Sequence, residues 1–339
     1  MDTGTHVVMG VALTGLATLD PHVTPTFAAV ATGIMVGSQI PDIDTVLKLK
    51  NNAIYVKNHR GITHSIPFTL LWPLILTFLI FVIFPGVDVL HIWLWTQFAV
   101  FFHVFVDIFN SYGTQALRPI SNKWIQLSII NTFDPIIFVA HLIAILFWTL
   151  GVNAGIAFGT LYFLLIFYYI VRFILQKAIK DQALKQIQQE DNPVKIFVAP
   201  TIRFMEWRIA IQTETHDYVG RSYGRNVAFN DVFKRQAFPN DHIMAYAKYD
   251  ENLRSFLSFS SIYRWEVTRI DKQTTELRFI DLRYLKNGHY PFVAILHLDD
   301  DMKVTNSYIG WVFTEEKLMK KLGSFRNTIK AETIKSSQP

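Results

Sequence analysis

Two uninterrupted apolar stretches, about residues 66–84 and 89–109, are each long enough to cross a bilayer as a helix. Nothing else in the chain restricts its fold as much, because a segment in hydrocarbon must satisfy every backbone N–H and C=O internally. Two further apolar runs, about 135–151 and 153–175, are separated only by Gly151-Val152-Asn153 and read as a third and fourth span. Shorter runs, about 7–19 and 26–40, flank Asp20-Pro21-His22-Val23-Thr24-Pro25. They read as thin helices or a re-entrant hairpin, and in both cases the chain enters and returns on one side. The expected fold is an α-helical polytopic membrane domain, with about four long spans and an N-terminal short helix pair, followed by a small β-rich cytoplasmic domain.

The charges support a division into two bodies. Residues 1–179 carry 8 Lys+Arg, 7 Asp and no Glu, whereas residues 180–339 carry 24 Lys+Arg and 20 Asp+Glu. A split this sharp places one body in lipid and one in water. The expected boundaries are 1–179 for the membrane domain, 180–326 for the β-rich domain and 327–339 for a disordered polar tail. The net charge of +5 suits anionic lipid, and no aromatic-basic motif points to nucleic acid. With no Cys, any metal site must use nitrogen and oxygen ligands. The N-terminus shows no basic n-region or small-x-small site, so no removable signal peptide is expected.

Orientation follows from the basic residues. Lys48, Lys50, Lys57, Arg60, Arg118 and Lys123 fall in loops on one side, and Lys177 follows the last span. The opposite turns, 20–25, 85–90 and 151–153, hold no Lys or Arg. The expectation is a multi-pass protein of the inner (plasma) membrane with both termini cytoplasmic.

The second body has strand chemistry. Residues 177–190 read as a polar helix leaving the membrane. Met205, Trp207, Ile209 and Ile211 alternate with mostly polar neighbours, as in a half-buried strand. Asp271-Lys272-Gln273-Thr274 and Asn287-Gly288 are hairpin turn signals, and Asp241 to about Leu257 reads as one helix.

Ionisable groups are costly in membrane helices and are kept where they work. Here His and Asp recur at the cytoplasmic ends of the apolar helices. His6 follows Thr5 and opens the first. Pro41-Asp42-Ile43-Asp44 closes the second, with Pro41 ending the helix and freeing the backbone to turn two carboxylates inward. His59-Arg60-Gly61-Ile62-Thr63-His64-Ser65 precedes the third; Gly61 permits a tight turn, and Thr63 or Ser65 can cap the helix that follows. Arg60 has the fork geometry to clamp a phosphate or carboxylate. His103 and Asp107, at i and i+4, share a helix face. Asp134-Pro135 opens the fifth segment. Each motif alone has a plain alternative: a buried His–Asp pair, a solvated loop, a positive juxtamembrane loop or a helix cap. Their conjunction at one membrane face points to a metal site. His22 and His91, near the opposite face, and His141, within a span, read as structural. His216, His242, His289 and His297 show no ligand spacing.

Taken together, the set resembles the YdjM-like family, described as LexA-regulated metal-dependent hydrolases of the inner membrane. A longer subgroup, the YfhP-like proteins, has an added C-terminal domain and matches this layout. The resemblance covers about residues 1–150. It is carried by Thr5-His6 with Gly10, by Pro41-Asp42-Ile43-Asp44, and by His59-Arg60 with Thr63-His64-Ser65. It continues through His103, Asp107, Gly113, Leu117, Arg118-Pro119 and Ser121. It implies metal-dependent hydrolysis and leaves the substrate and the C-terminal domain open.

The residues themselves support one leading reading: a hydrolase acting at the cytoplasmic membrane interface on a lipid phosphoester. One or two divalent ions, zinc or manganese, would draw on His6, Asp42, Asp44, His64, His103 and Asp107. His59 or His64 would act as general acid or base, with Arg60 in the catalytic set. Arg60, Arg118 and Lys123 would hold the anionic group of the substrate, and Asp134, Thr63 and Ser65 would support the ligands. The expected partners are membrane lipid and a cytoplasmic protein docked on the C-terminal domain. The alternative is a non-enzymatic regulator or scaffold whose His/Asp cluster staples helix ends. A third reading, a metal or proton transporter, fits less well, because transport sites lie near mid-membrane and these residues cluster at one face.

Overall fold

In the computed structural model, residues 1–49, 55, 58–187, 191–286 and 288–313 are described. The disordered-tail expectation for 327–339, the side chains of Lys48, Lys50 and Lys57, and Asn287 of the second turn signal lie outside these residues.

The first body is helical. Its elements are α1 (Thr3–Ala17), α2 (Phe27–Gly37), α3 (Ile66–Ile83), α4 (Val89–Asp107), α5 (Pro135–Thr149) and α6 (Ala154–Ile187). Among the described residues three helices, α3, α4 and α6, are long and apolar enough to span. The sequence divides the apolar residues into four long runs, but α5 is 15 residues long and joins α1 and α2 among the shorter apolar helices. Three carboxylates start helices. Asp2, Asp88 and Asp134 accept hydrogen bonds from the first free N–H groups of α1, α4 and α5.

Helices α3 and α6 turn large apolar side chains outward. Phe78, Val82, Phe163 and Ile166 are each more than 60 % exposed, which is favourable only in contact with lipid. Inward contacts rely on small residues. Helix α1 packs on α2, α4, α5 and α6, and α2 packs on α3 and α4. At Gly15 a Cβ would overlap the Phe158 ring of α6. With no hydrophobic difference between lipid and side chain, such close approach is what holds spans together.

The second body contains two antiparallel four-stranded sheets. The first is β1 (Pro193–Pro200), β2 (Glu206–Thr213), β3 (His216–Tyr223) and β4 (Asn226–Lys234), in sequence order. Two short helices follow, α7 (Asp241–Ala247) and α8 (Glu251–Phe259). The second sheet is β5 (Tyr263–Arg269), β6 (Thr275–Asp281), β7 (Phe292–Leu298) and β8 (Val304–Trp311), again in order. The first turn signal sits as expected between β5 and β6. Gly288, at φ +76°, belongs to a tight turn closed by Lys286 and His289.

Two sequence expectations change here. The stretch from Asp241 to Leu257 is two helices, because Asp250 accepts from the Leu253 N–H and starts a new one. Strand β2 is buried on both faces, with Met205 exposed ahead of it. One face, Trp207, Ile209 and Ile211, packs on Ile179, Ala183 and Ile187 of α6. The other, through Ala210, joins the core shared with the second sheet and α8. The polar end of α6 is thus the strut on which the β body is mounted.

Arg172 locks that junction. It lies in α6, is 1 % exposed, and stacks 4.2 Å from the Trp207 ring centroid. It donates to the carbonyls of Ile129 and Phe204.

The close packing at Gly15 is testable. Gly15→Val should lower stability by about 1–3 kcal/mol through overpacking. Gly159→Ala, with open space at its Cβ, should stabilise by up to about 1 kcal/mol. Thermal unfolding in detergent, followed by circular dichroism, measures both.

Candidate metal centre

Four side chains from three segments converge at the C-terminal end of α4. Asp42 comes from the 3₁₀ segment Ile40–Leu49, His64 from the loop before α3, and His103 and Asp107 from α4 itself. His64 Nε2 lies 3.5 Å from Asp42 Oδ1 and 3.4 Å from Asp107 Oδ2. His103 Nε2 lies 3.8 Å from Asp42 Oδ1 and 3.6 Å from Asp107 Oδ2. These separations are too long for hydrogen bonds. A tetrahedral ion with ligand bonds of about 2.0–2.2 Å keeps its ligand atoms about 3.3–3.6 Å apart. The four atoms are buried and have no hydrogen-bond partner among the described residues. Buried polar atoms are nearly always paired, so four orphans facing one another match the donor set of a cation.

The surrounding bonds orient the lone pairs. His103 Nδ1 donates to the Ser38 carbonyl at 2.7 Å, so its proton is on Nδ1 and Nε2 is an acceptor. Thr63 Oγ1 donates to Asp44 Oδ2 at 2.9 Å. That hydroxyl therefore accepts from His64 Nδ1, 3.1 Å away, and His64 Nε2 is also left as an acceptor. Burial, with His103 beside it, holds the His64 imidazole well below its usual range, which keeps it neutral. A neutral imidazole with its other N–H bonded is the form in which histidine binds metal.

Asp44 stands behind this cluster. It accepts from His59 Nδ1 at 2.9 Å and from the Arg60 N–H at 2.8 Å, besides Thr63. Asp42, Asp44 and His59 also meet the distance criterion for a metal group, so Asp42 belongs to two overlapping sets. His6 lies against the first set. Its ring stacks on His103 with centroids 3.7 Å apart, and its Nε2 is 3.4 Å from Asp107 Oδ1.

Arg60 occupies an unexpected place. Its side chain is 3 % exposed, with Nε 3.4 Å from Asp107 Oδ2 and Nη2 donating to the Met1 carbonyl at 2.6 Å. The left-handed residue of this turn is Arg60, at φ +59°, and not Gly61. Gly61 is needed for space, since a Cβ would sit 2.8 Å from the Asn58 carbonyl oxygen. Hydrogen bonds to the Arg60 carbonyl from Gln115 N and Thr114 Oγ1 hold the strained backbone in place.

The other expected site residues make the following contacts. Ser65 occupies the N-cap position of α3, but its hydroxyl donates to the Ile62 carbonyl, and Thr63 is turned to Asp44; neither side chain caps the helix. Asp134 caps α5 and accepts from Tyr168 Oη at 2.8 Å. Arg118 donates to Asn122, and Lys123 is exposed. At the other end of α4, the His22 and His91 rings stack at 4.3 Å beside Asp88, a third His/Asp group within metal-binding distance. His141 donates to the Ile137 carbonyl within α5.

Three contributors have little or no signal in the sequence. The Ser38 carbonyl orients His103, yet a backbone oxygen has no residue signature. Asp2 was findable as a cap three residues before Thr5, whose N–H it accepts at 3.1 Å. Tyr112, just beyond α4, packs against both Phe259 and Tyr284 of the β body, with centroids 6.1 and 5.6 Å away.

Helices of spanning length joined to a buried His/Asp cluster define a membrane protein with a candidate metal centre. Comparison places it further: the chain belongs to the family described as YdjM inner membrane protein, whose profile matches residues 1–179. Residues 190–233 match the YfhP middle domain, and residues 242–322 match the YfhP C-terminal alpha/beta plait domain. The chain is 54% identical over 325 residues to the uncharacterized protein YfhP of Bacillus subtilis (strain 168), covering 95% of this chain and 98% of that one. No solved structure matches.

If the Thr63 hydroxyl sets the His64 tautomer, Thr63→Val should weaken zinc binding roughly ten- to hundredfold. Competition of the purified protein against a zinc chelator measures this, and an unchanged affinity would remove Thr63 from the site.

Proposed function

We propose that this protein is a membrane-embedded metal-dependent hydrolase acting at the cytoplasmic face of the inner membrane. The observation that carries the reading is the set of four buried, unpartnered ligand atoms of Asp42, His64, His103 and Asp107. Two imidazoles and two carboxylates suit zinc or manganese. His6, and the set of Asp42, Asp44 and His59, offer donors for a second ion. A divalent ion held there supplies Lewis acidity and brings the pKa of water toward neutrality.

The other residues divide the remaining work. Asp44 fixes the Nδ1 proton of His59, which leaves His59 Nε2 to take a proton from water or return one to a leaving group. His59 and Arg60 line a cavity that also reaches Asp42. Arg60 adds positive charge where an anionic group would meet the carboxylates. The position at helix ends, at headgroup depth, favours a lipid phosphoester as substrate. The one-sided distribution of Lys and Arg favours cytoplasmic termini. The β body would then face the cytoplasm, where a protein partner could reach it.

A structural staple is the second reading. Four protein ligands favour it, because a tetrahedral ion so held has no open position.

Elemental analysis separates the readings from chance proximity. Wild type should carry at least one divalent ion per chain, and Asp42→Ala/His103→Ala should carry none while remaining folded. Well-folded wild type that stays metal-free after resupply would end the hydrolase reading and leave the cluster as a hydrogen-bonded staple of helix ends. His59→Gln should keep the ion held by Asp42, His64, His103 and Asp107 and lose about 10²–10⁴-fold in hydrolysis of a phospholipid extract. If no phospholipid is turned over and the double variant unfolds, the cluster is a staple.

A further inference from the structure

Between the helix ends and the β body lies a cavity of about 390 Å³. Its floor is Asp42, His59 and Arg60. Its wall is aromatic: Tyr112 and Trp124 come from the segment after α4, and Phe259, Phe292 and Trp311 come from the β body. None of its lining residues comes from α3, α4, α5 or α6. The cavity is therefore not an acyl-chain cleft between spans.

The wall is built by interlocking rings. Trp124 meets Phe259 edge-on at 5.6 Å, and Trp311 meets Tyr112 edge-on at 6.1 Å. Three buried donor atoms of the lining residues have no acceptor among the described residues: Trp124 Nε1, Arg60 Nε and Arg60 Nη1. A buried N–H without an acceptor is costly, and an incoming oxygen would satisfy it. The cavity thus combines unmatched donors and the Arg60 guanidinium with flat apolar surface, while Asp2 and Asp42 add two carboxylates to its lining.

We propose that this cavity binds an oxyanion carrying a flat apolar group, with the C-terminal body supplying the wall for that group. The oxyanion lies toward Asp42, Arg60 and Trp124, and the flat group packs on Phe259 and Trp311. This gives the β body a role in selecting ligands: it completes the site from more than 120 residues away along the chain. The inference rests on the metal-centre reading for the placement of the oxyanion, and it does not depend on hydrolysis.

The test is equilibrium binding to the full-length protein in detergent. Calorimetry compares phenylphosphonate, which is not hydrolysed, with inorganic phosphate and with benzoate. Phenylphosphonate should bind roughly tenfold more tightly than phosphate, as one added ring contact allows. Phe259→Leu and Trp311→Leu, each checked for an unchanged unfolding temperature, should bring that ratio to about two while leaving phosphate affinity and bound zinc unchanged. Trp124→Phe keeps the ring and removes the donor, so it should weaken both phosphorus ligands by roughly three- to tenfold. Benzoate bound as tightly as phenylphosphonate would identify a carboxylate ligand, and weaker benzoate binding a phosphoryl one; both lie within the proposed class. A ratio near one in the wild type, or an unchanged ratio in both Leu variants, overturns the proposal. The ratio is read with and without zinc, so failure of the metal centre and failure of the cavity appear as separate outcomes.

Discussion

Asp107 is a fully buried carboxylate at the end of a helix of spanning length. A carboxylate there costs several kcal/mol unless positive charge or a cation compensates it. Much of the surrounding architecture is that compensation. His64 and His103 face one oxygen, the Met1 ammonium, His6 and Asn110 face the other, and Arg60 lies alongside. To deliver these groups the chain brings α1, the Ile40–Leu49 segment, the loop before α3 and the end of α4 to one point. The helix packing, the strained turn at Arg60 and the Asp44 hydrogen bonds all serve that convergence.

The same constraint explains why the two bodies are coupled. The segment after α4 leaves the site directly and carries Tyr112 into the aromatic core of the β body. Helix α6 continues without a break from the lipid-facing region to the first sheet, and Arg172 pins it to Trp207 at the junction. The sheets are therefore held at two places, one mechanical and one beside the site. A β body held this way can contribute side chains to the cavity with little cost in ordering at the moment of binding.

Local hydrogen bonding also separates two histidines that sequence spacing treats alike. His59 and His64 bracket the same short loop. His64 passes its Nδ1 proton toward Thr63 and is fully buried, whereas His59 donates directly to Asp44 and borders the cavity. A buried neutral imidazole is suited to coordination, and an imidazole on a carboxylate at a cavity wall is suited to proton transfer.

The sequence by itself determined that the segments of α3, α4 and α6 are apolar enough to span, which side collects the basic residues, and that His and Asp recur at one end of the helices. These are consequences of composition along short windows, where the cost of placing charge in hydrocarbon is large and local. The helical membrane region followed by β structure was legible for the same reason. Only the tertiary structure decided that Asp42, His64, His103 and Asp107 meet while Asp44 stands behind them, that Arg60 turns inward, and that Asp134 caps a helix away from the cluster. It also decided that β2 is buried on both faces and that Asp250 divides the expected helix. Apart from the local caps of Asp134 and Asp250, each of these depends on contacts between segments distant in sequence, or on backbone atoms such as the Ser38 carbonyl, and neither leaves a periodic mark on the chain. Phe259 and Trp311 show this most clearly: in sequence they are ordinary core aromatics, and only the docking of one body on the other places them in one cavity with Asp42 and Arg60.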